Sequence, residues 1–480
     1  MKILNISAEC YPAAKAGGLG DVLGALPKYL TKAGVETGVI IPKYQTKWIT
    51  QQEFVTIYRG VFRFHDRYLP FAIEQEANNK LGFPFFVANI PGRFDRPGIY
   101  ADPSGHFYGD EVERYLSFQL AVLEWIKQLP RRPEVLHCHD HHSGLIPFFV
   151  KYAYEYRELA NIPTVFTIHN GQYHGAFSWE KMYLLPFFEA RYRGLLDWGS
   201  AICPLASAIK CSWAFTTVSP NYLNELRSDS NGMEWLIGHE WAKAKGILNG
   251  IDTQTWNPAT DQMLHSRFEG DISAYKAANK RAIQERFRIA PELPLMTFIG
   301  RLVTEKGADL LPGVIERFLR SGQRAAFVVL GTGVPYLMER FASMREYLVH
   351  FFDTSLEYNE QLAHQLYAGS DFLLMPSRVE PCGLNQMYAF RYGTIPIVRA
   401  VGGLWDTVID MGEPDGSGRG IRFLQFSEED MLHALRRAIA LYYDKQSFQQ
   451  LRHNIMQLDF SWEKSAQAYI DVYRQVGANV

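Results

Sequence analysis

Three groups of residues have types and spacings that could do chemistry. The first is Glu380, the single acid in Pro376–Gly403 (PSRVEPCGLNQMYAFRYGTIPIVRAVGG), followed by a turn-forming Pro381 and the pair Cys382-Gly383. Beyond it Leu384, Met387 and Tyr388 fall at helical spacing with Gly393 as a stop. A helix start there offers free N–H groups and partial positive charge to an anion. The second group is Arg301 and Lys306, five apart in one loop. An Arg fork and a Lys point charge together grip a diphosphate. The third is Lys15 beside Gly17-Gly18, where no Cβ keeps a phosphate or sugar away. The spacing is not GxGxxG, which speaks against a dinucleotide site. Each group has a plainer alternative: a solvated Glu at a strand–turn–helix corner, two surface cations, a glycine turn with a surface lysine.

Histidines form a further candidate. His137, His139 and His141 alternate, and on an extended segment they share a face. Metal binding is one reading of such a face. No acid or cysteine cluster elsewhere completes a ligand set, so the expectation is neutral histidines, a capping Asp140 and no metal. His169-Asn170 closes the run Thr164–His169, a polar pair at a strand's carboxyl end.

The elements that must hold these residues alternate strand and helix. Lys2–Ser7 reads as a strand, Asp21–Ala33 as a helix with Val22, Leu26, Tyr29 and Leu30 on one stripe, and Val35–Pro42 as the next strand. A β-rich insertion spans Thr46 to about Pro103, with Tyr100 in its last loop, and a helix follows over Tyr108–Gln128. Val135–Asp140, Thr164–His169 and Ala214–Ser219 are further strands, and Lys245–Pro258 reads as a linker. A second series has strands at Leu295–Leu302, Ala325–Leu330, Leu348–Phe352, Asp371–Met375 and Ile395–Val398. Helices are expected between them at Ala308–Leu319, Pro335–Met344 and Glu360–Ala368, with closing helices at Met431–Tyr443 and Trp462–Val476. Ligands of open α/β sheets bind beyond the strands' carboxyl ends, where every candidate above lies. A cleft between two such halves is the default site.

The 480 residues suffice for two ordinary cores. A net charge of -2 argues against bulk nucleic-acid binding. Cys10, Cys138, Cys203, Cys211 and Cys382 form no CxxC pair, which suits a reducing, cytoplasmic compartment. The chain starts directly in a strand pattern, and no apolar run reaches membrane-spanning length.

Taken together, the motifs resemble the bacterial and plant glycogen/starch synthases, retaining glucosyltransferases of glycosyltransferase family 5. Lys15–Val22 (KAGGLGDV) is similar to the family's KxGGLxDV signature, and His137–Gly144 (HCHDHHSG) to its HxHDWH segment, with His141 where Trp is usual. His169-Asn170, Lys245–Asp252 (KGILNGID), Arg301 with Lys306, Glu380–Leu384 (EPCGL) and Gly402-Gly403-Leu404 match further signatures across nearly the whole chain. The resemblance implies an α/β fold of the GT-B type, two Rossmann-like doubly wound domains facing each other across a deep cleft. It places an acceptor-side domain at 1–250, a donor-side domain at 251–458 and a C-terminal helix at 459–480 crossing back to the first.

The implied activity is transfer of glucose from ADP-glucose to the 4-hydroxyl of an α-1,4-glucan end, with no cofactor, nucleic acid or membrane partner. Glu380, His169, Arg301 and Lys306 carry over as catalytic residues. Lys15, Gly18, Asp21, Asn170, Asn249, Tyr358, Cys382, Gly383, Leu384 and Asn385 join Arg301 and Lys306 at the donor; Tyr100, Asp140 and His169 serve the acceptor. Three positions depart from the family or its relatives: Tyr388 stands where many retaining GT-B enzymes have a second Glu, Asn385 where Thr is usual, and Gly171 where a larger residue is common. An alternative of another class is a non-catalytic glucan-binding or granule-initiating relative. The presence of Lys15, Arg301, Lys306 and Glu380 together favours the enzyme.

Overall fold

Runs of Val, Ile, Leu and Phe with nearly continuous burial make the parallel central strands of two sheets, buried on both faces. In this computed structural model, residues 1–102 and 106–477 are described. The expected end of the insertion at Pro103 and the last residues of the segment 459–480 lie outside them. The chain divides into two units, Met1–Asn249 with Trp462–Val480, and Gly250–Ser461.

The first unit contains β1 (Lys2–Ile6), β2 (Glu36–Pro42), β3 (Phe54–Phe64), β4 (Arg67–Glu76), β5 (Phe85–Asn89), β6 (Val135–His139), β7 (Thr164–Ile168), β8 (Asp197–Trp198), β9 (Ala201–Ile202), β10 (Ala214–Thr217) and β11 (Ala244–Gly246). Nine of them form one sheet in the order β11-β10-β7-β6-β1-β2-β5-β4-β3; β8 and β9 pair separately. Pairing is parallel from β11 to β5 and antiparallel through β4 and β3. The antiparallel edge is the β-rich insertion, and the largely exposed pattern of β3 explains its alternating sequence.

The second unit contains β12 (Leu295–Ile299), β13 (Ala326–Leu330), β14 (Phe352–Ser355), β15 (Phe372–Met375), β16 (Ile395–Arg399) and β17 (Ile421–Phe423), all parallel, in the order β14-β13-β12-β15-β16-β17. In both sheets the strand order reverses beside the first strand: β1 lies between β2 and β6, β12 between β13 and β15. Loops that leave those carboxyl ends diverge and open a crevice.

The structure corrects several expectations. The strand placed at Leu348–Phe352 begins instead at Phe352. The helix before it runs to Tyr347, Leu348 turns back to donate to the Met344 carbonyl, and Val349 is exposed. Pairing with β13 fixes the polar Asp353-Thr354-Ser355 as strand despite their type. Helices at Pro204–Cys211, Ile272–Arg286 and Lys445–Met456 were not legible. Ile272–Arg286 buries Lys276 and Asn279 beside Tyr275 and Ile283, so its inner face lacks an apolar stripe. Lys276 Nζ is satisfied there by the carbonyls of Tyr367 and Tyr392 and by Thr394 Oγ1. The supposed linker Lys245–Pro258 is structured: Lys245 and Gly246 belong to β11, and Trp256 stacks on Tyr388 and His364 at 3.7 and 3.9 Å. Tyr388 therefore packs as a core aromatic. The closing helix Trp462–Gln475 belongs to the first unit, where it buries Trp462, Ala466, Tyr469, Ile470 and Tyr473.

Candidate active site

In the second unit the loops after β12 and β15 are held against each other by local necessity. After β12 the turn Thr304–Lys306 closes on Gly307, whose φ of +68 favours glycine. A Cβ there would lie 1.9 Å from the Pro376 carbonyl oxygen, so the absent side chain is what lets the loops meet. Arg378 clamps the pair: its amide donates to the Glu305 carbonyl at 2.8 Å and its guanidinium grips Asp309 at 2.6 and 2.7 Å. The product of this folding is an ion pair, Lys306 Nζ to Glu380 Oε1 at 2.6 Å. Ser377 Oγ donates to the other carboxylate oxygen at 2.9 Å. Glu380 is 5% exposed while Lys306 remains partly open, so an incoming anion meets the cation first.

Gly402 and Gly403 close the far side. A Cβ on Gly402 would sit 1.9 Å from the Glu380 carbonyl oxygen, and the Gly403 amide donates to that oxygen at 3.1 Å. Cys382 is buried against Gly403, and Gly383 adopts a φ of +73. Gln386 Nε2 holds the turn through the carbonyls of Cys382 and Gly383 at 3.2 and 2.9 Å. Leu384 caps the following helix, and Asn385 Nδ2 donates to the Ile299 carbonyl at 2.7 Å, which ties the turn to β12. Arg301 is exposed; its acidic neighbour is Glu305 at 3.4 Å and not Glu380. Tyr358 is 79% exposed.

In the first unit a buried acid organises the glycine turn. Glu9 Oε2 accepts from the amides of Ala16 and Gly17 at 2.6 and 2.9 Å, and Oε1 accepts from the Tyr100 hydroxyl at 2.7 Å. Added Cβ atoms on Gly17 and Gly18 would meet nothing within 4 Å, so these glycines are not demanded by packing and leave the backbone open to a ligand. Lys15 Nζ lies 2.6 Å from Asp21 Oδ1.

After β6, Asp140 takes a left-handed φ of +54, and its Oδ1 accepts from the His169 amide at 2.7 Å. Burial raises its carboxyl to about 7 against the pull of that amide. Behind it runs a chain of rings. Asn5 Nδ2 donates to Thr37 Oγ1 and the Gly38 carbonyl, which leaves Asn5 Oδ1 to accept from His139 Nε2 at 3.2 Å. Burial holds His139 and His169 neutral, His169 at about 3. His139 Nδ1 must then accept from His169 Nε2 at 3.0 Å, and the lone pair of His169 falls on Nδ1.

The structure brings together Lys306 with Glu380, Lys15 with Asp21, and Asp140 with His169. It gives the other candidates individual settings. Asn170 Oδ1 accepts from the Gln172 amide at 3.0 Å, and Asn249 is buried with no hydrogen-bond partner for Oδ1 among the described residues. A Cβ at Gly171 would lie 2.6 Å from Leu226 Cδ2, so Leu226 fills the space a larger residue would take. The shared histidine face breaks at Asp140: His137 bonds to Tyr473 and Thr167, whereas His141, past the left-handed residue, faces Glu111 at 3.2 Å. Tertiary packing thus brings an acid to His141 that its place in the sequence does not announce. Glu9, Asn5, Ser377 and Gln386 were missed. Glu9, an acid just ahead of a glycine loop, carried the one usable signal.

Two doubly wound units with these loops at their reversal points define a GT-B glycosyltransferase. Residues 2–239 match the starch synthase catalytic domain, and residues 279–454 match the glycosyl transferases group 1 domain. The chain is 45% identical over 478 residues to the glycogen synthase of Flavobacterium johnsoniae, covering 99% of each, and 37% identical over 489 residues to that of Streptococcus gordonii, covering 99% of this chain and 100% of the relative. The catalytic domain of starch synthase IV from Arabidopsis thaliana, bound to ADP and acarbose, superposes with a TM-score of 0.88 at 31% identity over 99% of both chains. A sucrose-phosphate synthase from Thermosynechococcus elongatus shares the fold at 16% identity and a TM-score of 0.62, covering 99% of this chain and 98% of that one. The chain belongs to the glycogen/starch synthase family. No helix among the described residues is long and apolar enough to cross a membrane.

Proposed function

We propose that this enzyme transfers glucose from ADP-glucose to the 4-hydroxyl at the non-reducing end of an α-1,4-glucan, with retention of configuration. The observation that carries the reading is the Lys306–Glu380 pair, a cation and a buried carboxylate on adjoining loops at a sheet's reversal point. Departure of ADP puts negative charge on the diphosphate and positive charge on C1. Arg301 and Lys306 stabilise the first, and Glu380 stabilises the sugar as the second develops. The amides of Gly383 and Leu384 add donors to the diphosphate, while Cys382 and Asn385 fix that turn. Tyr358 offers an aromatic face to adenine, and Lys15, Gly18, Asp21, Asn170 and Asn249 complete the donor contacts. On the acceptor side, Tyr100 and Asp140 frame His169, whose neutral ring presents an acceptor to a sugar hydroxyl. With no second carboxylate at Tyr388, a front-face displacement fits this set of residues, in which the departing phosphate helps remove the acceptor proton. No cofactor is required. The ADP and acarbose bound by the Arabidopsis relative support the donor and glucan assignments.

The test is glucan elongation with ADP-glucose and UDP-glucose in parallel, with and without glycogen. ADP-glucose should be the better donor, with incorporation dependent on added glucan. Arg301→Ala and Lys306→Ala should each lower kcat by about 100-fold or more, with a smaller change in donor KM. Loss through KM alone, or no incorporation from either donor, would defeat the reading.

A further inference from the structure

Outside the residues assigned above, three side chains converge on one point of the first unit. Glu111 opens the helix Glu111–Gln128, and His141 and His142 open the short turn that follows Asp140. Glu111 Oε1 lies 3.2 Å from His141 Nε2 and 3.8 Å from His142 Nε2. One ligand atom from each of the three falls within 4.8 Å of the others. Ligands held ~2.0–2.2 Å from a tetrahedral ion stand ~3.4 Å apart, which these spacings bracket. The three residues border a cavity of about 90 Å³ that Tyr115 and Gln119 also line.

The second histidine carries the argument. His142 is 6% exposed, and its Nδ1 has no hydrogen-bond partner among the described residues. Its Nε2 points at Glu111 from beyond hydrogen-bonding distance. That nitrogen, the one facing Glu111, makes no hydrogen bond among the described residues and is available to a ligand. Its ring is fixed by stacking on Tyr100 at 4.9 Å and by an edge contact with Tyr115 at 4.4 Å. His141 is fixed too: Gly175, at φ +66, would place a Cβ 2.4 Å from its ring.

We propose that Glu111, His141 and His142 bind one divalent ion of the zinc class, with an open coordination position on the cavity side. Two imidazoles and a carboxylate select Zn²⁺ and its borderline neighbours over Mg²⁺ or Ca²⁺, which demand more oxygen ligands. A bound ion would staple the first turn of the helix to the turn after Asp140, whose carboxylate in turn holds the His169 amide. The ion would thereby stiffen that loop and stabilise the native first unit by mass action.

The test uses the full chain, stripped by chelator dialysis and titrated with Zn²⁺ against a chromogenic chelator of known affinity. In parallel, Co²⁺ absorption and thermal unfolding followed by circular dichroism are recorded. One ion per chain is expected, with intense tetrahedral Co²⁺ bands and a rise in Tm. Glu111→Gln, at an exposed position that does not disturb the core, and His141→Ala should each weaken Zn²⁺ binding about tenfold or more and abolish the rise in Tm. Equal Zn²⁺ affinity in the parent and Glu111→Gln, or no binding by the parent above that of both variants, would overturn the site. Both readouts are independent of transferase activity.

Discussion

At the scale of single residues, the site is set by groups that never need to touch a substrate. Asp371 begins the segment that β15 continues, at the opposite end from Glu380. Its carboxylate accepts from Lys280 and Arg452 at 2.6 Å each and from the Leu295 amide at 2.8 Å. Burial alone would raise its pKa, but the two cations and the amide outweigh it and hold the group below the usual carboxylate range. A depressed native pKa contributes stability that is present above the unfolded value of about 3.9 and is lost as pH falls through the native one. The contribution of Asp371 to the second unit should therefore be lost only in that acid window. Asp371→Asn, which leaves Arg452 buried without its counter-ion, should cost about 3–5 kcal/mol at neutral pH, measured by denaturant unfolding. It should also flatten the acid-side fall. An unchanged midpoint would refute this account. Glu9 works in the same indirect way, as one carboxylate that positions both Tyr100 and the glycine turn.

At the scale of elements, the loops depend on missing side chains. Gly307 and Gly402 both stand at positive φ, and both would drive a Cβ into a carbonyl oxygen at 1.9 Å. Gly402→Ala should destabilise the second unit by about 2 kcal/mol or more, since the left-handed backbone alone costs about 1–2 kcal/mol and the contact with the Glu380 carbonyl adds to it. The displaced carboxylate should lower kcat more than it raises donor KM. Activity equal to the parent would show that Glu380 does not need this support. Gly17 and Gly18 differ in kind: they crowd nothing, so alanine there should leave stability nearly intact.

At the scale of the whole molecule, the first unit is built from both ends of the chain and the second from a continuous stretch. Residues 250–461 should fold alone with a cooperative transition of their own, because their core is assembled within that span. A chain ending at Ser461 should lose the native first unit, since Tyr469, Ile470 and Tyr473 leave it and His137 loses its partner. Hydrogen exchange resolves the two outcomes: protection in β6 and β7 should vanish while that in β12 and β15 persists. Retained protection in β6 would contradict the closing helix's role. What was legible in the sequence follows from local rules. Parallel strands buried on both faces announce themselves as apolar runs, glycines mark turns that need an absent Cβ, and cations at strand ends mark anion sites. Those rules place β1, β12 and β15 and locate Lys15, Lys306 and Glu380. They fail where the environment outweighs residue type: the polar strand β14, the helix Ile272–Arg286 with its buried lysine, and Trp256 in a stretch that reads as linker. They are also blind to partners distant in the chain. Lys306 meets Glu380, Glu9 meets Tyr100 and Glu111 meets two histidines only because hydrogen-bonded sheet order, a long-range property, sets which loops are neighbours.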